Sequence, residues 1–446
     1  MGFESVNAGA RPKGGAAADT APAGARMSVD HEPAADLAAL HDAYRVPAFD
    51  CRRFTHEQLW QVLGPIADEA RGLSRDTVGS SAEGRPIYAV RFGRGPTPVL
   101  LWSQMHGDES THTMGLADLL AFVAREADEP RVRLIHDRLT VVAIPMLNPD
   151  GAERFTRLNA QGIDINRDAH ACLTPEMRAL RAVHAELRPA FALNLHDQDP
   201  RKRVGESDRL TALALLANPF DEEMGDNDVR LRAKRLGGVI ARAVRPLIGG
   251  HVSRFPEEFN PQGSGEFMVA SGTSSLLLEC GGWKDDPEKQ FLRTVSFAAL
   301  FSALAAIADE SYAQVPLEEY EALAEDDTSV VDVLVRGGTV VVPGLEPYRA
   351  DVGIEFPVPF QRENGEVASI GDLGGYVGSE EVDAAGLFLH PRAEALCGDG
   401  GSRPVLGDGS PASFDVRTGA DPSSECVMTI SHGVVETAEE GRVTRR

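Results

Sequence analysis

The sequence predicts an α/β fold with a mixed, mostly parallel central sheet flanked by helices, followed by a smaller β-rich domain. Short apolar runs typical of buried parallel strands alternate with longer stretches of helical periodicity up to about residue 310. From about residue 315 the chain is instead rich in β-branched residues, Gly and Asp. Its 446 residues also exceed a usual single core. Two domains follow from these observations.

The elements of the first domain follow from periodicity and turn residues. Thr55 has the character of an N-cap for an amphipathic helix that ends near residue 70. The main buried strand covers residues 99–105 (VLLWSQM). Further predicted strands cover 76–79, 86–92, 139–146, 191–195 and 275–278, and further helices cover 110–126, 175–187, 228–247 and 288–308. A Gly-, Pro- and Phe-rich segment after residue 247 is predicted to be irregular.

Composition places the domain boundaries. Residues 1–35 are rich in Ala, Gly and Pro without periodicity and are predicted to form a disordered tail. Residues 36–312 form the predicted main domain. An acidic linker then leads into residues 313–446, the predicted β-rich accessory domain.

Charge and hydropathy exclude several functions. The formal net charge of −24 argues against binding to nucleic acid or to an anionic membrane. We find no apolar run near the roughly 18–20 residues of a membrane span and no secretory signal, so we expect a cytoplasmic protein. Five scattered Cys without CxxC spacing support neither a disulfide framework nor a thiolate zinc site. The oligomeric state is unknown from the sequence.

Candidate catalytic residues follow three separate strands. His106 and Glu109 come just after the 99–105 strand, His196 ends the 191–195 strand, and Glu279 ends the 275–278 strand. The carboxyl ends of parallel strands meet at one edge of a sheet, so these side chains should converge. Imidazole and carboxylate are both zinc ligands. An HxxE pair alone is a weak signal, and the convergence is what predicts a hydrolytic metal site.

The segment between Glu109 and His196 carries a family resemblance. It reads NPDGAERFTRLNAQGIDINRD over residues 148–168. With it, the chain resembles the M14 family of zinc carboxypeptidases, which carry HxxE, NPDG, an Arg upstream of a GxDxNR element, a later His and a late Glu. All five occur here in order, and the resemblance covers roughly residues 75–310.

The resemblance implies a zinc carboxypeptidase-like fold and one Zn²⁺ per chain. His106, Glu109 and His196 would be its ligands, which leaves an open position for water as catalytic zinc requires. Glu279 would be the general base, which takes a proton from the attacking water and delivers it to the leaving amine.

It also implies three substrate contacts. Arg157 would stabilise the oxyanion, although Arg154 is an alternative three residues earlier. Asn166 and Arg167 would bind the terminal carboxylate of the substrate, since a planar guanidinium can hold both oxygens.

One feature departs from the family. Digestive members place a Tyr roughly twenty residues before the catalytic Glu, whereas residues 251–270 contain only Phe255, Phe259 and Phe267. A phenyl ring cannot donate a hydrogen bond, so substrate closure must differ here.

Neighbouring polar residues have simpler interpretations. We expect Asp150 to form a turn and support a ligand, His112 to lie too far along its helix to bind the metal, and Cys280 to be a core thiol. Asp197 and Asp199 beside His196 could support the ligands or hold a second cation.

Three functions are compatible with these residues. The leading one is a zinc carboxypeptidase that acts on peptides. A deacylase of N-acyl amino acids, of the succinylglutamate desuccinylase and aspartoacylase type, shares the HxxE, the later His and the Glu. A non-catalytic binding protein is the third, although it has no chemical need for Glu279.

Overall fold

The structure is a computed structural model that describes residues 34–359, 361–397, 405–437 and 441–445. The helices are α1 (Ala34–Tyr44), α2 (His56–Glu69), α3 (Thr111–Arg125), α4 (Pro130–Arg138), α5 (Pro149–Arg154), α6 (Pro175–Leu187), α7 (Asp228–Ile248), α8 (Ser264–Ala270), α9 (Gln290–Ala308) and α10 (Glu318–Glu321). Short 3-10 helices span Ile165–Arg167, Ser311–Gln314 and Ala393–Ala395.

The strands fall into a first group before residue 281 and a second group after residue 325. The first group is β1 (Leu73–Ser80), β2 (Pro86–Gly93), β3 (Thr97–Ser103), β4 (Leu139–Ile144), β5 (Phe191–Asp197), β6 (Arg203–Val204), β7 (Leu213–Ala217), β8 (Val252–Arg254) and β9 (Ser274–Cys280). The second group is β10 (Asp326–Asp327), β11 (Val330–Val340), β12 (Tyr348–Glu355), β13 (Glu366–Gly371), β14 (Val377–Asp383), β15 (Phe388–Pro391), β16 (Leu396–Cys397), β17 (Val405–Leu406), β18 (Phe414–Arg417), β19 (Cys426–Ser431), β20 (Val434–Thr437) and β21 (Val443–Arg445).

Eight strands form the central sheet in the order β1-β2-β4-β3-β5-β9-β7-β8. The pairs β3/β4, β3/β5, β5/β9 and β7/β8 are parallel, and the pairs β1/β2, β2/β4 and β7/β9 are antiparallel. The predicted mixed, mostly parallel sheet with flanking helices is thus confirmed. β5 and β9 are buried along their whole length, as strands covered on both faces must be.

Local sequence determines several element ends. Thr55 and Gln58 form a capping box at α2, in which each side chain accepts a hydrogen bond from the other residue's backbone amide. Asn148 caps α5 by accepting from the Gly151 amide at 2.9 Å, so the NPDG motif begins a short helix. Pro149 at the first turn of that helix has no amide hydrogen that would need a partner.

The β-rich region is confirmed and has its own sheet and core. Its main path runs β13-β12-β11-β15-β18-β19-β20, with β14 paired to β11 and to β21. Twenty buried apolar residues between Val333 and Ile430 form its core. Tyr320 instead belongs to the core beneath the central sheet, where its hydroxyl accepts a hydrogen bond from the Ala217 amide at 2.9 Å. The predicted division at residues 36–312 and 313–446 stays a prediction.

The structure corrects several element assignments. The segment predicted to be irregular after residue 247 contains β8 and α8, and β7 and α4 were not predicted at all. Most of the predicted N-terminal tail lies outside the described residues, but Ala34 already begins α1. β5 and β9 also continue one residue beyond His196 and Glu279, so these side chains stand on the strands themselves.

Helix α9 corrects the statement that no apolar run reaches the length of a membrane span. Its 19 residues are long and apolar enough for one. Most of the helix is buried inside the protein, with Val295 and Phe297 fully enclosed, which is the environment of a core helix.

Candidate active site

The loop between β3 and α3 brings the first two candidate ligands to the edge of the sheet. After β3 the chain reverses at Gln104, whose φ of 49° lies in the left-handed region, and His106 and Glu109 follow before α3 begins. Gly107 between them packs against the NPDG helix so closely that a Cβ would lie 2.0 Å from the Gly151 carbonyl carbon. Only glycine fits there without displacing the loop.

Strand register supplies the other two residues. β5 and β9 are parallel neighbours, and His196 is the direct register partner of Glu279. Both side chains are buried and both line the same cavity as His106 and Glu109. Three segments far apart in sequence therefore meet at one edge of the sheet.

The donor atoms of His106, Glu109 and His196 converge. His106 Nδ1 lies 2.7 Å from Glu109 Oε1, His196 Nδ1 lies 2.7 Å from Glu109 Oε2, and the two Nδ1 atoms are 3.2 Å apart. A tetrahedral zinc site with ligand bonds of 2.0–2.1 Å has donor atoms about 3.3 Å apart. The donor set therefore fits Zn²⁺. The Nδ1–Nδ1 separation matches this spacing, whereas the two carboxylate contacts are about 0.6 Å shorter than it.

Asp164 orients the first ligand. Its Oδ1 atom lies 3.0 Å from His106 Nε2, so with the ring proton on Nε2 the Nδ1 lone pair is left facing the cluster. The same carboxylate accepts from Arg157 Nε at 3.1 Å and Nη2 at 2.9 Å. Asp164 stands within the GxDxNR element, but no role was predicted for it from the sequence.

The charged groups of the cluster shift one another's pKa values. Burial disfavours the charged His106 ring, but Glu109 and Asp164 outweigh it and raise the pKa of His106 to about 9. Burial works against the ionised Glu109 as well, yet its two histidine neighbours hold the pKa of Glu109 well below its usual range. Burial and the charge of Glu109 raise the pKa of Glu279. A divalent cation would compensate these buried acids.

The structure separates the two candidate arginines. Arg157 Nη1 lies 3.3 Å from Glu109 Oε1 and 3.2 Å from His106 Nδ1. Arg154 turns away and pairs with Glu83 and with the Asp150 carbonyl. Arg157 is therefore the arginine at the cluster.

Asn166 and Arg167 also reach the cavity. Asn166 Oδ1 accepts from the Ser264 amide at 3.0 Å and from the Ser264 hydroxyl at 2.7 Å, which ties the GxDxNR element to α8. Arg167 is exposed to solvent and donates to the Asn166 carbonyl at 3.0 Å. Its guanidinium is accessible to a ligand in the cavity.

The neighbouring polar residues have other partners. His112 contacts Ser296 at 2.7 Å and Cys280 at 3.4 Å, and burial lowers the pKa of His112 to about 4. Asp197 Oδ2 accepts from the Thr111 hydroxyl at 2.6 Å and pairs with Lys289 at 3.3 Å.

Two further carboxylates lie away from the cluster. Asp199 is paired with Arg201. Asp150 accepts from Ser81 at 2.7 Å and from Arg85 at 2.6 Å, so the expectation that it supports a ligand is wrong.

The cluster lies in a cavity of about 930 Å³, a volume within the range of small-ligand sites. Its wall includes every residue predicted for the site, namely His106, Glu109, Arg157, Asn166, Arg167, His196 and Glu279. It also contains residues that no motif marked, namely Arg52, Asn194, Lys202, Glu266, Pro357 and Pro359. Phe255 and Phe259 line it, whereas Phe267 packs on Arg181.

Comparison with known proteins finds a family similarity. Residues 66–187, which carry His106, Glu109, NPDG and the GxDxNR element, match the M14 peptidase model described as zinc carboxypeptidase. This part of the chain is similar to the M14 family. His196 and Glu279 lie beyond the matched residues, and the β5/β9 register brings them to the same site.

Curated relatives of this chain are distant. It is 34% identical to Carboxypeptidase D of Mus musculus over 160 residues, and 26% identical to Carboxypeptidase 2 of Trichophyton rubrum over 152 residues. These matches cover 26% and 32% of the chain, and the chain spans only 12% and 28% of those relatives.

Solved structures similar to this chain include a metallo-carboxypeptidase from Burkholderia cenocepacia. That comparison has 21% identity and a TM-score of 0.47, covering 58% of this chain and 70% of the other. The metallo-carboxypeptidase from Pseudomonas aeruginosa, solved with (2-guanidinoethylmercapto)succinic acid, has 19% identity, the same TM-score and the same coverage.

Proposed function

We propose that this protein is a zinc-dependent carboxypeptidase that hydrolyses the C-terminal peptide bond of peptides. The observation that carries the proposal is the convergence of His106, Glu109 and His196 within hydrogen-bonding distance of one another inside a ligand-sized cavity. When bound, zinc supplies a Lewis acid that makes a water molecule acidic near neutral pH.

The chain's own residues divide the remaining work. Glu279 accepts a proton as the water oxygen bonds to the scissile carbonyl carbon, and it returns that proton to the amide nitrogen as the C–N bond breaks. Arg157 donates hydrogen bonds to the carbonyl oxygen as that oxygen gains negative charge. The products are a shortened peptide carboxylate and a free amino acid.

Substrate orientation depends on the residues that face the terminal carboxylate. The Arg167 guanidinium offers paired donors to it, and Asn166 offers its side-chain amide. Because Asn166 is fixed to Ser264 by two hydrogen bonds, this contact is held in place before substrate arrives. A carboxylate at this position makes the enzyme an exopeptidase. We also propose that the substrates are cytoplasmic peptides, and this part of the proposal is supported by the sequence alone.

The test combines metal analysis with amino-acid release. Purified protein should contain one zinc per chain and should release C-terminal amino acids from a peptide library, and a chelator should stop the release. Glu279→Gln should keep its zinc and lose turnover. Glu186→Gln, an exposed change on α6, is the matched control and should behave like the unmodified protein.

Two results would refute the proposal. Unchanged release by Glu279→Gln would exclude the mechanism. Release of amino acids from N-acyl amino acids but from no peptide would transfer the assignment to the deacylase class, which no specific observation favours at present.

A further inference from the structure

The β-rich region contributes to the wall of the candidate active site. Pro357 and Pro359 lie just after β12, and both line the cavity that contains the metal-ligand cluster. They are far from the cluster in sequence. They directly follow β12, a strand of the second sheet, and Phe356, a core residue of the β-rich region. The cavity is therefore incomplete without the second sheet.

Buried charges fix this segment in position. The Phe356 amide donates to Asp332 Oδ2 at 2.8 Å, and Arg201 donates to the same oxygen from Nε at 3.0 Å and Nη2 at 2.8 Å. Arg201 also donates to the Phe356 carbonyl. The side chains of Arg201 and Asp332 are only 10% and 6% exposed, so each charge depends on the other.

The segment that makes these contacts with the β-rich region directly follows β5, the strand that carries His196. Arg201 and Lys202 follow β5, which carries His196, and both line the cavity. Lys202 Nζ lies 3.6 Å from Asp326 and 4.4 Å from the centre of the Phe255 ring. The next residues form β6, which pairs antiparallel with β10. The β-rich region is thus bonded to the chain that leaves the candidate active site.

We propose that residues 357–359, which we call the proline wall, close the cavity beside Arg201 and Lys202 and favour substrates with few residues ahead of the scissile bond. Pro357 and Pro359 have fixed φ angles and no amide hydrogen, so at both positions the wall cannot pair with an extended peptide as a neighbouring strand would. It acts as a steric boundary. This inference rests on the proposed function, because it identifies short peptides as the preferred substrates.

The experiment measures peptide binding without turnover. The zinc-loaded Glu279→Gln protein is incubated with equimolar pools of acetylated dipeptides and acetylated pentapeptides, both randomised at the C-terminal residue. Retained peptide is measured by mass spectrometry. The same measurement is made on a Glu279→Gln protein that also carries Pro357→Ala and Pro359→Ala. The matched control is a Glu279→Gln protein that carries Pro343→Ala and Pro347→Ala, two exposed prolines of the β11–β12 turn. Thermal melting verifies that each variant folds.

The expected result is preferential retention of dipeptides, by roughly tenfold, with most of that preference lost in the Pro357/Pro359 variant and kept in the control. Equal retention of the two pools by the parent protein would overturn the proposal. The proposal would also be overturned if the dipeptide preference remained in the Pro357/Pro359 variant, or if the control variant lost it as well. Failure of the parent protein to retain either pool would overturn it too. Amino-acid release by the protein with Glu279 intact tests the proposed function separately, because a length preference in binding without any release would refute only the carboxypeptidase.

Discussion

Replacing Asp164 by alanine should weaken zinc binding by about 10–100-fold, or about 1.4–2.7 kcal/mol. Asp164 Oδ1 lies 3.0 Å from His106 Nε2 and thereby holds the ring with Nδ1 towards the cluster. Without that acceptor the ring is free to rotate, and the Nε2 proton is no longer favoured over Nδ1. The zinc affinity of Asp164→Asn should lie between those of the unmodified protein and Asp164→Ala, because an amide oxygen can still accept the same hydrogen bond.

Zinc affinity is measured by competition with a chelator of known affinity at one fixed pH. The matched control is Asp168→Ala in the same loop, since Asp168 accepts from the amides of Leu173 at 2.8 Å and Thr174 at 2.6 Å and caps the approach to α6. The Asp168→Ala variant should have a lower melting temperature than the unmodified protein but should bind zinc with the same affinity. Unchanged affinity of Asp164→Ala, or equal losses in both variants, would refute the orienting role of Asp164.

Three further substitutions test other features. Gly107→Ala should lose zinc in elemental analysis, because the added Cβ would lie 2.0 Å from the Gly151 carbonyl carbon. Asp118→Ala should lower the free energy of unfolding in urea by about 3–5 kcal/mol, because it leaves the fully buried Arg293 guanidinium without its carboxylate. Stability should also fall by roughly 2 kcal/mol from pH 7 to pH 5 through His112. Burial lowers the folded pKa of His112 to about 4, so the unfolded chain takes up the proton first as the pH falls below about 6.5. Urea unfolding at the two pH values should show a shallower loss for His112→Gln.

The first two of these substitutions have a control in the chain. Gly225→Ala places a Cβ where no heavy atom lies within 4 Å, and it should retain zinc. Asp42→Ala removes a carboxylate that is 75% exposed, and it should leave the unfolding free energy within about 0.5 kcal/mol. A pH-dependent loss of the same size in His112→Gln and in the unmodified protein would contradict the titration argument.

The sequence predicted those parts of the site that depend on local sequence patterns. His106 and Glu109 are three residues apart after an apolar strand, and NPDG is a helix start whose cap can be read from Asn148. His196 and Glu279 were predictable because both follow apolar runs, and parallel strands bring such ends together.

The parts that the sequence could not predict depend on long-range placement. Arg52 and Lys202 stand in short basic runs without periodicity, so nothing local indicates that they face the cavity. Pro357 follows β12, a strand of another sheet. β7 was missed because five apolar residues, LALLA, do not distinguish a strand from a helix, and its pairing with β9 decides the matter. α9 was predicted as a helix, but its length and hydropathy were underestimated, and only its burial identifies it as a core helix and not a membrane span.

Tyr320 has a consequence for how the chain folds. Its ring lies so close to α7 that a Cβ on Gly237 would be 2.7 Å from ring atom Cδ2, and its hydroxyl bonds to β7. A chain cut at residue 312 would lose this side chain, the β6–β10 pairing and the carboxylate partner of Arg201 together. We therefore expect a chain cut at residue 312 to unfold at a lower urea concentration than the full chain.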